Sequence, residues 1–252
     1  MKIQIAVAAH KPYWMPDDGA YLPLQVGSAG RETIPGFQRD DEGENISVKN
    51  ASYCELTGLY WAWKHLDADY IGLVHYRRHF ARPFTFGRKR RVAATKTFEH
   101  ALSEKDALLP KKRRYVLETN YLQYIHAHHE QDLLLTKQIL SERCADYLPD
   151  WERVMRKRSG HRFNMLVMKK ELFGDYCAWL FGLLFELERR LDTSSYSGLN
   201  ARVYGLVSER LLDVWLEHNG ISYAELPVVH LESQHWPKKI ARFLGRKLRR
   251  GK

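Results

Sequence analysis

The sequence predicts an α/β fold, a mainly parallel sheet flanked by helices. Three observations point there. Short apolar runs of strand length alternate with amphipathic segments of helical period, the pattern of βαβ units. The two clearest strands, residues 2–9 (KIQIAVAA) and Asp69–Tyr76, are almost continuously apolar, as in strands covered on both faces. The chain has 252 residues, 44% of them hydrophobic and 28% charged, enough for a sizeable core; this excludes collagen-like and wholly disordered readings.

Residues 2–9 form the first strand, which ends at His10-Lys11-Pro12-Tyr13. Pro, Gly, Asp and Asn dominate from 12 to 50, which reads as mostly loop; so long a loop in a compact domain is often functional. Ser52-x-x-Glu55 predicts a capping box opening a helix through His65, with Tyr53, Leu56, Tyr60 and Trp63 on one side. The next strand, 69–76, stops at Arg77-Arg78. A helix over 98–105, a short strand over 107–109, a helix over 132–143 and a strand over 163–168 follow. A long amphipathic helix over 171–191, a helix over 202–218 and a strand over 226–231 complete the series. No linker precedes residue 236, so the sequence divides into a domain over 1–235 and a tail over 236–252.

The net charge is +10, and the tail supplies eight cations without an acid, which leaves +2 for the rest. In the tail, Ile240, Phe243, Leu244 and Leu248 share one helical face behind Trp236. A basic amphipathic segment of this kind predicts contact with an anionic membrane surface. A solvated terminus and a nucleic-acid contact are the alternatives. No aromatic RNA-binding pattern or zinc-finger spacing supports the latter, so no nucleic acid is expected. Two internal clusters, Arg88–Arg91 and Lys111–Arg114, read either as solvated loops or as a path for a phosphate-bearing substrate. Cys54, Cys144 and Cys177 are too scattered for a zinc site or a disulfide framework and read as buried small hydrophobes. The longest apolar-rich run, Tyr176–Leu187, falls short of the ~20 residues that span a bilayer. The start shows no secretion pattern, and the expected location is cytoplasmic.

No Walker loop, GxSxG, HExxH or GxGxxG motif appears where it would carry chemistry. The informative position is the strand end His75-Tyr76-Arg77-Arg78, because ligands of open α/β sheets bind outside the carboxyl ends of strands. Paired guanidiniums can chelate phosphate oxygens and neutralise a diphosphate leaving group. A salt-bridged strand terminus is the other reading.

Several words along the chain carry a resemblance. They are Asn45-Ile-Ser-x-x-Asn50, Tyr53-Cys-Glu-Leu-Thr57, Tyr60-Trp-Ala-Trp-Lys64 and Tyr70-Ile-Gly-Leu-x-His-Tyr-Arg-Arg78. Further on come Leu109-Pro-Lys-Lys112, His126-x-His128 with Asp132-Leu133, Asn164-Met165 with Met168-Lys-Lys170, and Arg202-Val-x-Gly205 with Glu209-Arg-Leu211. Together they resemble a bacterial family of capsule, exopolysaccharide and O-antigen glycosyltransferases (DUF4422-like, including galactofuranosyltransferases). The resemblance runs from about residue 1 to 232 and leaves out the tail.

That resemblance implies a GT-A-like, Rossmann-type sheet holding a UDP-sugar. In most GT-A enzymes the strand corresponding to 70–76 ends in an acidic motif that binds a divalent metal. Here Asp67-x-Asp69 precedes the strand, at the wrong edge, and the strand ends in His-Tyr-Arg-Arg. The expectation is metal-independent transfer, with Arg77, Arg78 and either Arg202 or Arg210 in the metal's electrostatic role; a divalent cation stays open as the alternative. Inverting transfer needs a general base, and the candidates in order are Asp132, Glu130 and Glu209. Asp132 reads equally as a charge at a helix N-terminus, and Glu209 as an ion-pair partner. His10, Lys11 and Tyr13 are placed to hold uridine, with Tyr13 stacking on the base. Asn45, Asn50 and Glu55 are candidates for sugar or ribose hydroxyls, Glu55 also for capping. Asn164 either reaches the sugar or turns the chain.

The implied activity is transfer from a UDP-sugar, with UDP-galactofuranose the named candidate, to a lipid-diphosphate-linked glycan at the inner face of the bacterial plasma membrane. A non-enzymatic binder of nucleic acid or another anionic polymer, and a degenerate glycosyltransferase fold serving in assembly, are the competing classes.

Overall fold

The computed structural model describes residues 1–83 and 85–232. The basic segment predicted over 236–252 lies outside them. Strand β1 (Ile3–Ala9) is followed by β2 (Tyr21–Gln25) and β3 (Gln38–Arg39). Helices α1 (Asn50–Tyr53) and α2 (Leu56–His65) lead to β4 (Tyr70–His75), which turns back as β5 (Arg78–Phe80). Then come α3 (Thr95–Leu102), β6 (Ala107–Pro110), β7 (Arg113–Arg114), α4 (Asn120–Ile125), α5 (Glu130–Arg143) and α6 (Leu148–Arg156). The remainder is β8 (Ser159–Gly160), β9 (Leu166–Lys169), α7 (Lys170–Arg190), α8 (Val203–His218), β10 (Tyr223–Leu226) and β11 (Val228–His230). Among the described residues no helix is long and apolar enough to cross a membrane.

The main sheet has the order β10-β6-β9-β4-β1-β2-β3. Strands β1, β2, β3 and β4 are mutually parallel, and β10 is parallel to β6. Strand β9 is antiparallel to both β4 and β6. One inverted strand between two parallel groups leaves β4 and β6 pointing the same way. The carboxyl ends of β1, β2, β4, β6 and β10 therefore share one edge, where a ligand site is expected. Gly72 lets β4 and β9 approach: a Cβ there would stand 2.6 Å from the Leu166 carbonyl oxygen.

Alternation along the strands explains the unbroken apolar runs. Ile71 and Leu73 of β4 join Leu166, Met168, Phe173, Leu180 and Leu211 in a core on the α2–α7–α8 side. Val74 joins Ile5, Val7, Phe80, Phe98 and Val167 in a second core on the α3 side. Both faces are dry, so neither set of alternate residues needs to be polar.

The structure departs from the sequence expectation in several places. The stretch 12–50 is mostly loop as expected, but it also holds two strands the sequence did not show: β2, paired to β1 in register Ile5 with Tyr21, and β3, paired to β2. Helices α4 and α6 are present where none was predicted. The strand predicted over 226–231 is two short pieces: β10 beside β6, and β11 antiparallel to β5. The capping box does not form. Ser52 lies inside α1 and its hydroxyl donates to the Lys49 carbonyl at 3.3 Å, while Cys54, at φ 54°, breaks the helix before Glu55. Of the three cysteines only Cys177 is buried.

Candidate active site

Four segments meet at the carboxyl end of β4: the β4–β5 turn, the break between α1 and α2, the turn before β9 and the first two turns of α8. Each bend has a local cause. Asn50 donates from Nδ2 to the Cys54 carbonyl at 2.7 Å and to Thr57 Oγ1 at 3.1 Å, which stabilises the break after α1. The break redirects Glu55 into the protein. Before β9, Phe163 and Asn164 both lie in the left-handed region, at φ 80° and 52°. Asn tolerates that conformation and Phe does not, so strain is concentrated beside the strand end.

Hydrogen bonds hold this turn in place. Glu209 Oε1 accepts from the Phe163 N–H at 2.9 Å, and His75 Nε2 donates to the Phe163 carbonyl at 2.6 Å. Asn164 Nδ2 donates to Glu55 Oε1 at 2.8 Å and to the Gly205 carbonyl at 3.0 Å, while its Oδ1 accepts from Ser208 at 2.9 Å. Burial pulls the His75 pKa down, Glu55 opposes that and Arg78 adds to it. A neutral imidazole with its proton on Nε2 satisfies the Phe163 carbonyl.

The cations differ sharply in their surroundings. Arg77 turns outward to Glu232 at 3.2 Å and covers the Tyr76 ring. Arg78 turns the other way, with its guanidinium 4.6 Å from the centre of the Phe163 ring. Among the described residues no carboxylate stands within 4.0 Å of it, although Glu55, Glu209, Arg77 and Arg202 all act on it through space. Burial, first of all, pulls its pKa below the usual arginine value. Arg202, its side chain 48% exposed, donates through Nε to Cys54 Sγ at 2.9 Å and stands 3.8 Å from Glu55. Arg210 is buried beneath the site: it holds Glu209 at 3.2 Å, bonds Gln123 and the Leu206 carbonyl, and stacks on Tyr124. It positions Glu209 and faces no open space.

His10, Lys11 and Tyr13, which follow β1 at the same edge, gather around Tyr76. The Tyr76 hydroxyl and His10 Nε2 are 3.3 Å apart, Tyr13 meets the ring edge-on at 4.9 Å, and Lys11 Nζ lies 5.9 Å from its centre. Burial lowers the His10 pKa, and Arg77 and Lys11 lower it further.

Other residues singled out in the sequence have structural employment. Asp132 is 1% exposed and accepts from Tyr124 at 2.7 Å and Tyr196 at 2.6 Å, one phenol on each oxygen. That placement corrects its ranking as first choice for a base, because no oxygen is left for an acceptor hydroxyl. Glu130 is exposed and takes the Tyr121 hydroxyl. Asn45 folds its own loop, bonding the Asp41 and Gly43 carbonyls and the Ser47 N–H. Asn50 and Asn164 are likewise committed to backbone turns, so the hydroxyl-binding role does not fit their geometry. Sequence reasoning passed over Cys54 and Ser208, which contact Arg202 and Asn164 respectively. Cys54 lay within the word Tyr53-Cys-Glu-Leu-Thr57 and Ser208 just ahead of Glu209-Arg-Leu211, but neither the thiol nor the hydroxyl gave a separate signal.

At this edge the guanidiniums of Arg78 and Arg202 stand beside the carboxylates of Glu55 and Glu209, and among the described residues no three His, Cys, Asp or Glu side chains are grouped to hold a metal ion. Asp67 pairs with Lys170, and Asp69 accepts from the Lys2 N–H, both at the opposite edge.

A solved structure shares this architecture. In three dimensions it is similar to the apo structure of WbbM, a bifunctional glycosyltransferase, with a TM-score of 0.86 and 30% sequence identity. The match covers 92% of this chain and 46% of that one, so the chain spans about half the length of WbbM. Among curated proteins none matches in sequence. Residues 4–220 match the family described as a domain of unknown function, DUF4422, and with the sheet, the arginine-bearing strand end and the helices all inside that span, the chain belongs to this family.

Proposed function

We propose that the protein is a glycosyltransferase that binds a UDP-sugar at the carboxyl edge of β1 and β4 and transfers the sugar without a metal. The observation that carries this is Arg78: a part-buried guanidinium with no ion-pair partner among the described residues, beside a second, half-exposed guanidinium on Arg202 and the carboxylates of Glu55 and Glu209. A cation left unneutralised at a ligand-binding edge is matched to an anion that arrives with the substrate. The resemblance in fold and sequence to WbbM supports the reaction class.

In this reading Arg78 and Arg202 clamp the diphosphate, with Lys11 at its outer side and Tyr13 stacked on uracil. As the bond from the anomeric carbon to the diphosphate breaks, its electron pair leaves with UDP, and the fixed guanidiniums stabilise the growing negative charge. The acceptor oxygen forms the new bond to the anomeric carbon and its proton passes to a carboxylate. Glu209 takes that role. The Phe163 N–H and Arg210 fix its orientation, and its side chain is 18% exposed against 1% for the whole of Asp132. UDP-galactofuranose is the proposed donor and a lipid-diphosphate-linked glycan the proposed acceptor. The proposed location is the inner face of the plasma membrane, with the basic segment 236–252 on anionic lipid.

The test is UDP release from a panel of UDP-sugars by the purified chain, with Arg78→Ala and Arg202→Ala alongside. Each variant is expected to lose about 10²-fold in turnover, as when one preorganised donor to a transition-state anion is removed. Undiminished turnover in Arg78→Ala would overturn the assignment.

A further inference from the structure

The cluster Lys111–Arg114 leaves the sheet at the carboxyl end of β6, the same edge that carries the candidate site. Its surroundings are unusual for a solvated loop. Strand β7 pairs with β8, bringing Arg113 and Arg114 alongside Ser159 and Gly160. Lys111, Arg113, Arg114, Arg156 and Arg158 are all exposed, and among the described residues none forms an ion pair within 4.0 Å. The one acid in the loop, Glu118, is taken by His126 at 2.9 Å.

At the tip of this basic surface stand two aliphatic side chains, Val116 at 84% and Leu117 at 62% exposure. They are not the product of a frayed segment. Tyr115 donates its N–H to the Arg158 carbonyl at 2.7 Å, and its hydroxyl accepts from Arg162 Nε at 2.8 Å. Asn120, just beyond, donates to the Lys157 carbonyl at 2.7 Å and through Nδ2 to the Val154 and Ser159 carbonyls. The loop is pinned at both ends and still turns its aliphatic pair outward.

We propose that this tip is a membrane-contacting surface of the folded domain, with Val116 and Leu117 entering the headgroup region and the surrounding cations on anionic phospholipid. Aliphatic side chains ringed by unpaired basic residues combine apolar burial with attraction to anionic headgroups. A nucleic acid would call for exposed rings on which bases stack. The aromatic of this loop, Tyr115, is instead held by Arg162 and lies under the Arg113 guanidinium. Because the tip and the candidate site share an edge, docking would turn the site toward a lipid-borne acceptor. The inference deepens the proposed membrane-face reading by assigning a contact within the described residues, separate from the segment 236–252.

Vesicles of phosphatidylcholine with and without phosphatidylglycerol, titrated with the full chain, test it. Arg113→Ala with Arg114→Ala is expected to weaken binding to the anionic vesicles by about fivefold per cation, or about 25-fold together. Val116→Asp with Leu117→Asp is expected to weaken it by a comparable factor. Leu117→Trp should gain a fluorescence component that lipids brominated on their acyl chains quench. All the changed side chains are exposed, so thermal unfolding should not move. UDP release and transfer to a soluble acceptor, measured in parallel, should also stay unchanged. Vesicle affinity indifferent to both double variants would overturn the tip assignment while leaving membrane binding by the tail intact. An unquenched Leu117→Trp with salt-sensitive RNA binding would overturn it in favour of a polyanion surface. If vesicle binding follows the tip but no UDP-sugar is turned over, the enzymatic reading fails and the membrane contact stands.

Discussion

Replacing Asp132 by Asn separates a structural acid from a catalytic one. Both Asp132 oxygens accept phenolic hydrogens, from Tyr124 at 2.7 Å and Tyr196 at 2.6 Å, and the side chain is buried. A hydrogen bond to an ionised group contributes about 1.5–3 kcal/mol, and a neutral one about 1 kcal/mol. Asn keeps one acceptor oxygen, now uncharged, and presents an amide N–H to the second phenol oxygen, whose hydrogen must turn elsewhere. The expected loss is about 2–4 kcal/mol. For a chain of this size that lowers Tm by about 4–16 °C. Measured below the new Tm, kcat should stay within about threefold of the parent, since no interaction made only in the transition state is removed. The assay is a thermal melt paired with donor turnover on the same preparation. A kcat loss of about 10²-fold or more at unchanged Tm would refute the reasoning and restore Asp132 as the base.

Three further outcomes follow from the same geometry. Glu209→Gln keeps an oxygen for the Phe163 N–H but cannot take a proton; kcat should fall about 10²-fold or more, with donor affinity little changed. Chelation by EDTA should leave transfer intact, and restoration of lost activity by Mn²⁺ would refute the metal-independent proposal. Burial holds His79 neutral, its pKa lowered to about 4, so between that value and the unfolded ~6.5 the unfolded chain carries the extra proton. Stability should be full above pH ~6.5 and fall by about 3 kcal/mol toward pH 4. His79→Phe should flatten that slope in denaturant titrations.

Strands β1 and β4 and helices α5, α7 and α8 were legible because each carries a long apolar pattern whose period does not depend on partners. Strand β2 was not. Tyr-Leu-Pro-Leu-Gln contains a proline and is flanked by turn residues, and it becomes a strand only because β1 offers an edge for it. The capping box failed for a related reason. Ser-x-x-Glu is a local signal, and the competing forces were distant: Asn164 and Arg202 draw Glu55 inward from positions more than 100 residues away. Asp132 was misread in the same manner. A carboxylate in the first turn of a helix looks available until the fold supplies two tyrosines, one of them from the segment between α7 and α8.

Arg77 and Arg78 show how far the sequence could go at the site itself. Adjacent arginines at a strand end look equivalent, and both were assigned to a diphosphate. The register distinguishes them. Arg78 is paired across to His75 and His230 as β5 begins, so successive side chains leave on opposite sides of the turn. One is directed to Glu232 and the other to Phe163, above a cluster holding two carboxylates. Arg77 arrives already neutralised and its removal should cost little. Under the proposed function Arg78, part-buried and without an ion-pair partner within 4.0 Å among the described residues, takes its close counter-charge from the bound diphosphate. The pair is therefore asymmetric by construction, and an Arg77→Ala variant as impaired as Arg78→Ala would mean that the Glu232 contact opens during turnover.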